Sequence, residues 1–214
     1  LIMWATDKSA INQKTEESLK KLNIPFVYAV AGNLADYPEV YLFLGKLLKR
    51  GKRAKQLSLY CKNTLEEIKS VVNRIPPGKR PSVYYAEGMD GLSTECDDSI
   101  HVELLRLTGD RDVHRCHTSN HKGFEKVSLE QVILYKPDVI IAQEKVFFDK
   151  VFKDPAWRNV KAVREGRVYL IPRHPFNWFD RPPSFMRILG LKWLTNILYP
   201  GEYKIDIVKE ARNF

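Results

Sequence analysis

The chain has 214 residues, 44% of them hydrophobic and 29% charged, with a formal net charge of +9. That length allows one large domain or two small ones with a sizeable core, and the composition is that of an ordinary soluble globular chain. Apolar runs such as Val139 to Ala142 are too short to span a bilayer. The densest basic run, Lys46 to Lys55, lacks interleaved aromatics that would stack on bases, so no nucleic-acid partner is expected.

The chain opens on Leu1-Ile2-Met3-Trp4-Ala5, which reads as the end of a buried strand. A processed or trimmed N-terminus is therefore expected, and the lack of a signal segment leaves export open. Ser9 to Leu22 reads as a helix with Ser9 as N-cap. Phe26 to Val30 is a short buried strand, and Pro38 to Arg50 a helix with Gly51 as its stop. Ala54, Leu57, Cys61, Leu65, Ile68, Val72 and Ile75 then fall three or four residues apart. They mark one face of a continuous helix of about 22 residues, ended by Pro76-Pro77-Gly78.

Beyond it, Ser82 to Ala86 reads as a strand, Ser99 to Thr108 as a helix closed by Gly109, and Asp110 to Glu125 as a polar loop. Ser128 to Tyr135 is a short helix capped by Ser128 and broken by Pro137. Val139 to Ala142 is a strand, Phe147 to Phe152 a helix and Val168 to Pro172 a strand. Pro182 and Pro183 open a last long helix through Ile197, stopped by Pro200-Gly201. Strands without polar–apolar alternation, separated by helices, predict parallel sheets covered on both faces. The expected fold is α/β, two lobes joined by one long helix.

No G-x-S-x-G, H-E-x-x-H or G-x-G-x-x-G is present, and no catalytic residue is assigned. Cys96, His101, His114, Cys116, His117 and His121 gather good ligand types for zinc, nickel or copper. Their spacing is looser than a structural zinc site usually shows, so the expectation is an inert polar loop; the alternatives are that at least one of these residues lines a ligand, or that they form a metal site made of protein ligands alone. Three cysteines leave at least one without an intrachain partner.

Several segments taken in order carry a resemblance. Val127 to Gln131 precedes Lys136-Pro137-Asp138-Val139-Ile140-Ile141; Pro155-Ala156-Trp157 precedes Gly166 to Pro172. Phe176-Asn177-Trp178-Phe179-Asp180-Arg181-Pro182 and Gly190 to Leu194 follow, ending Leu198-Tyr199-Pro200. This order resembles the helix-bridged (class III) periplasmic solute-binding proteins of ABC importers, which carry iron-siderophores, haem, cobalamin and related metal ligands. The resemblance implies two Rossmann-like lobes with parallel sheets, the N-terminal one incomplete here. Residues 1–50 would be its remainder, 51–76 the interlobe helix and 77–214 the C-terminal ligand-binding lobe.

Capture rather than catalysis is implied, with no tightly bound cofactor. The expected ligand is an iron(III) chelate; the alternatives are a nickel chelate, a molybdate or tungstate carrier, or a metal-dependent enzyme of nitrogenase-like architecture. The chain would be a monomer, periplasmic or membrane-anchored outside the cell, delivering ligand to an inner-membrane permease. Ligand would lie in the interlobe cleft at the carboxyl ends of strands. That places Trp4, Glu87, Glu95, Asn177, Trp178, Phe179 and Arg181 in the candidate site, with Glu130 as the permease-docking residue. The competing arrangement packs Trp178 and Phe179 on the next helix and pairs Arg181 with Asp180.

Overall fold

The computed structural model describes residues 1–5, 13–116 and 124–214. The expected N-cap Ser9, and His117 and His121, lie outside them. The chain divides into two compact units, Leu1–Glu67 and Ile68–Phe214.

In the first unit, β1 (Ile2–Ala5) and β2 (Val27–Val30) pair in parallel, Met3 opposite Tyr28. α1 (Gln13–Lys21) lies between them in sequence, and α2 (Tyr37–Leu47) follows. Gly51 was expected to end this second helix; instead it opens the next one. The turn falls on Lys49, which takes the left-handed conformation (φ 54°), while the Arg50 amide donates to the Gly45 carbonyl at 2.7 Å.

α3 (Gly51–Arg74) is unbroken for 24 residues and runs from the first unit into the second. Of the expected stripe, Ala54, Cys61, Ile68, Val72 and Ile75 are buried, whereas Leu57 and Leu65 are only half-buried. Ser58 and Thr64 are buried beside them.

The second unit is built on a parallel sheet of order β5-β3-β7-β8, with β3 Ser82–Ala86, β5 Arg111–Asp112, β7 Val139–Ala142 and β8 Val168–Leu170. Every residue of β7 is buried, as a central strand covered on both faces must be. One layer of core holds Tyr84, Ile140, Ala142, Phe147, Trp157 and Val163. α5 (Leu129–Tyr135) and α6 (Lys145–Val151) contribute to it, as does the short α7 (Lys161–Arg164). α4 (Glu103–Thr108) packs on α8 (Arg187–Leu198), whose circumference is almost wholly buried. α9 (Ile207–Asn213) ends the chain and is tied to α8 by Lys192 and Glu210 at 2.6 Å.

Two further expectations are corrected here. The segment 110–125 is not only loop. It holds β5 and the two-residue β6 (Glu125–Lys126), which pairs antiparallel with β4 (Ser93–Thr94). Pro182 and Pro183 do not open α8, which starts at Arg187. A proline drives the residue before it away from the helical region, and Pro182 precedes Pro183. Cys96 and Cys116 form a disulfide, which leaves the buried Cys61 free, in keeping with the odd number of cysteines.

Candidate functional site

Three adjacent parallel strands, β3, β7 and β8, end on the same side of the sheet, and the residues just past their carboxyl ends are bonded to one another. After β3 the chain turns back on itself. The Glu87 amide donates to the Ser93 carbonyl at 2.8 Å and the Ser93 amide to the Glu87 carbonyl at 3.1 Å. This hairpin carries Glu87 and Glu95, both buried. After β7 comes Gln143, whose side-chain oxygen accepts from the Tyr85 hydroxyl at 3.2 Å. After β8 comes the segment 173–181, which Gln143 touches from below. Its side-chain nitrogen donates to the Arg181 carbonyl at 3.4 Å, and its own carbonyl accepts from Arg173.

Within that segment, Asn177 acts as an internal brace. Its side-chain oxygen accepts from the Phe179 amide at 2.7 Å and the Asp180 amide at 3.1 Å, and its side-chain nitrogen donates to the Arg181 carbonyl at 3.1 Å. An asparagine suits this place because its amide can mimic backbone on both sides of a turn. Trp178 is buried, with Nε1 donating to the His174 carbonyl at 2.8 Å. Phe179 is fully buried, 4.8 Å from the Tyr85 ring. The buried Arg187 at the start of α8 donates to the Phe179 carbonyl at 2.9 Å and pairs with Glu103 of α4 at 2.8 Å.

Arg181 is the centre of the arrangement. Its Nε donates to Glu87 at 2.6 Å and its Nη2 to Glu95. Its guanidinium carbon stands 4.1 Å from the Phe124 ring centroid. Nη1 has no partner among the described residues, and the side chain keeps 24% of its surface exposed. Glu95 is further held by the Ser99 hydroxyl at 2.9 Å and the Phe124 amide at 3.1 Å. The second oxygen of Glu87 is buried without a partner among the described residues. Burial pushes the Glu87 carboxyl up to about 7; Arg181 pulls it down, but not enough to offset desolvation and the neighbouring Glu95. Asp180 does not pair with Arg181. It binds Nδ1 of His101, which the sequence grouped with the cysteines.

The remaining residues lie elsewhere. Trp4, at the carboxyl end of β1, is exposed and packs edge-on against Tyr37 at 5.6 Å. Glu130 is exposed in the first turn of α5, where its own backbone amide and the Ser128 side chain hold its carboxyl below the usual range. The candidate residues thus divide by what they can touch. Phe179 and Trp178 belong to the interior and shape the loop, Asn177 braces it, and Arg181 presents a free donor edge between two carboxylates. Gln143 follows β7, one of the strand ends at which the α/β rule places ligand, although it is not among the seven candidate residues. The signal for it was a long amide placed directly after an all-apolar strand.

Parallel sheets covered by helices, with polar groups gathered past the strand ends, define an α/β chain of the kind that binds ligands at strand ends. A family model described as "Periplasmic binding protein" matches residues 6–175, and the chain belongs to that family. It is 43% identical to a solved structure, the ABC transporter solute binding protein from Sulfurospirillum deleyianum. The match has a TM-score of 0.89 and covers 100% of this chain and 65% of that one. The molybdate-binding protein MolA of Haemophilus influenzae is 31% identical over 96 residues, 44% of this chain and 27% of that protein. The haem uptake protein IsdE of Staphylococcus aureus is 22% identical over 177 residues, 78% and 59% respectively. The chain therefore spans less than two thirds of the length of these relatives. Among the described residues no helix is long and apolar enough to cross a membrane.

Proposed function

We propose that the chain is the greater part of an extracytoplasmic solute-binding protein of an ABC importer, which captures an anionic metal-containing solute and hands it to a permease without catalysing a reaction. The first reading of the solute is an iron(III) chelate with exposed carboxylates or catecholates. The observation that carries it is the convergence of the loops after β3, β7 and β8 on Arg181, at the side of a parallel sheet where ligands of α/β proteins bind. A guanidinium clamped on two edges keeps its third edge in a fixed direction, so little ordering is needed when an anion arrives. A molybdate-like oxyanion is the second reading, favoured by the likeness to MolA.

The test is calorimetric titration with ferric citrate and with molybdate, on the wild type and on Arg181→Ala and Arg181→Lys, with a melting curve for each. Charge-assisted hydrogen bonds contribute about 1.5–3 kcal/mol, so Arg181→Ala should weaken the probe that binds about 10- to 150-fold. Lysine should recover only part, lacking the planar fork. Unchanged affinity with lowered stability would make Arg181 a scaffold for Glu87 and Glu95 instead. For docking, Glu130→Arg should abolish uptake in cells while leaving solute affinity intact; normal uptake would remove Glu130 from the permease interface.

A further inference from the structure

The disulfide between Cys96 and Cys116 does not stand alone. A ring nitrogen of His114 and the two sulfurs all lie within 4.8 Å of one another. Cys96 is buried, while His114 and Cys116 are half-buried, so the group borders solvent on one side. The imidazole is already oriented: its Nδ1 is bonded to the Tyr135 hydroxyl at 2.9 Å. That leaves Nε2, which is buried and has no hydrogen-bond partner among the described residues. A buried, unpartnered imidazole nitrogen calls for an explanation, because buried polar groups are nearly always hydrogen-bonded. A histidine close to two sulfurs, with one nitrogen fixed by an outer partner and the other without a partner among the described residues, has the second-partner arrangement of metal-ligating histidines.

We infer that the reduced form of the protein binds a thiophilic divalent cation, zinc(II) or one of similar preference, through the thiolates of Cys96 and Cys116 and Nε2 of His114. This does not depend on the solute reading above. Opening the disulfide takes two electrons and two protons. A dithiol reductant supplies both and is itself oxidised to a disulfide, leaving two thiols on the protein. The cation then displaces both thiol protons, and its two charges are balanced by the two thiolates. Zinc bonds of about 2.3 Å to sulfur and 2.0–2.1 Å to nitrogen need ligand atoms to surround a point, so the two sulfurs must turn apart about their side-chain bonds. The backbone does not have to move far to allow it, since Cα atoms of the two cysteines are 4.9 Å apart and the segments are held independently of the sulfurs. The Asp97 amide donates to the His114 carbonyl at 3.1 Å, the Cys116 amide to the Asp97 carboxylate at 3.3 Å, and the His114 amide to the Asp112 carboxylate at 3.0 Å. None of these bonds involves a sulfur, so reduction breaks none of them directly. Three protein ligands leave a fourth position for water.

The experiment uses cobalt(II) as a coloured probe, added without oxygen to protein reduced by a phosphine, followed by competition with zinc(II). The expected result is one cobalt per chain, with thiolate-to-metal charge-transfer absorption and the strong visible bands of tetrahedral cobalt, both erased by one equivalent of zinc. Oxidised protein should give neither signal. His114→Ala should keep the disulfide when oxidised and, once reduced, bind cobalt at least tenfold more weakly. Cys61→Ser should change nothing. Reduced wild type that binds no cobalt above the oxidised level overturns the site, and so does a His114→Ala variant of full affinity. Loss of the signal in Cys61→Ser would move the metal elsewhere and overturn it equally. All of these readouts are made on variants that retain the oxidised fold, so each can be checked by melting before reduction.

Discussion

Glu87 carries its charge where charge is costly. Its carboxyl titrates at about 7 in the folded chain against an ordinary 4.5. Between those two values the folded state holds the proton and the unfolded state does not, so the folded state binds more protons. Stability must then fall as pH rises from about 4.5 to about 7, by an amount of order 3 kcal/mol at its fullest. Glu87→Gln, which keeps the shape and removes the titration, should flatten that part of the pH–stability curve. Denaturant midpoints of wild type and variant at pH 5 and pH 8 check this; parallel curves would mean that Arg181 compensates the carboxylate fully. The cluster was only partly legible in the sequence. Glu87, Glu95 and Arg181 were each marked from their places after strands. Their pairing across 94 and 86 residues of chain was not, because no local pattern encodes a contact of that range.

At the scale of elements, α8 and the segment before it are fitted through one residue. A Cβ at Gly190 would overlap the carbonyl oxygen of Trp178, so only glycine lets the helix lie against the 177–181 turn. Gly190→Ala should therefore push the turn off the helix, lower stability by about 1–3 kcal/mol and weaken solute binding with it. Denaturation and titration on the same sample would show both; a variant of normal stability and affinity would mean the backbones separate at no cost. The helices and core strands were readable because their apolar periods are long. The stripe on α3 gave its whole length to within a residue or two, and the unbroken apolar run Val139 to Ala142 gave the central strand. What failed was short or charged. β5 and β6 are two residues each, Arg111–Asp112 and Glu125–Lys126, and form by backbone pairing with β3 and β4 without an apolar signal. The Cys96–Cys116 bond spans 20 residues of sequence, and three cysteines without a close-spaced pair do not say which two are joined.

Among the described residues, the two units differ in the size of their sheets. The second unit has a four-stranded sheet with a doubly covered centre; the first rests on two strands, β1 and β2, whose Ile2, Trp4 and Val30 are 41%, 47% and 39% exposed. Two strands alone are marginal in water. Amide hydrogen exchange should accordingly be at least about 100-fold faster in β1 and β2 than in β3 and β7, a gap of roughly 2.7 kcal/mol in local opening. Equal protection would show that the first unit is held by more than its own sheet. The formal charge of +9 plays no visible part in this difference and carries no argument for a nucleic-acid partner.

The mutual bonding of the three strand-end loops has a consequence for any change of solute. Gln143 touches Tyr85, Asn177, Arg173 and Arg181, so a change in any one loop is felt by the other two. On the proposed binding role, a change of solute would call for matched changes in all three loops, because a single substitution leaves an amide or carboxylate without its partner.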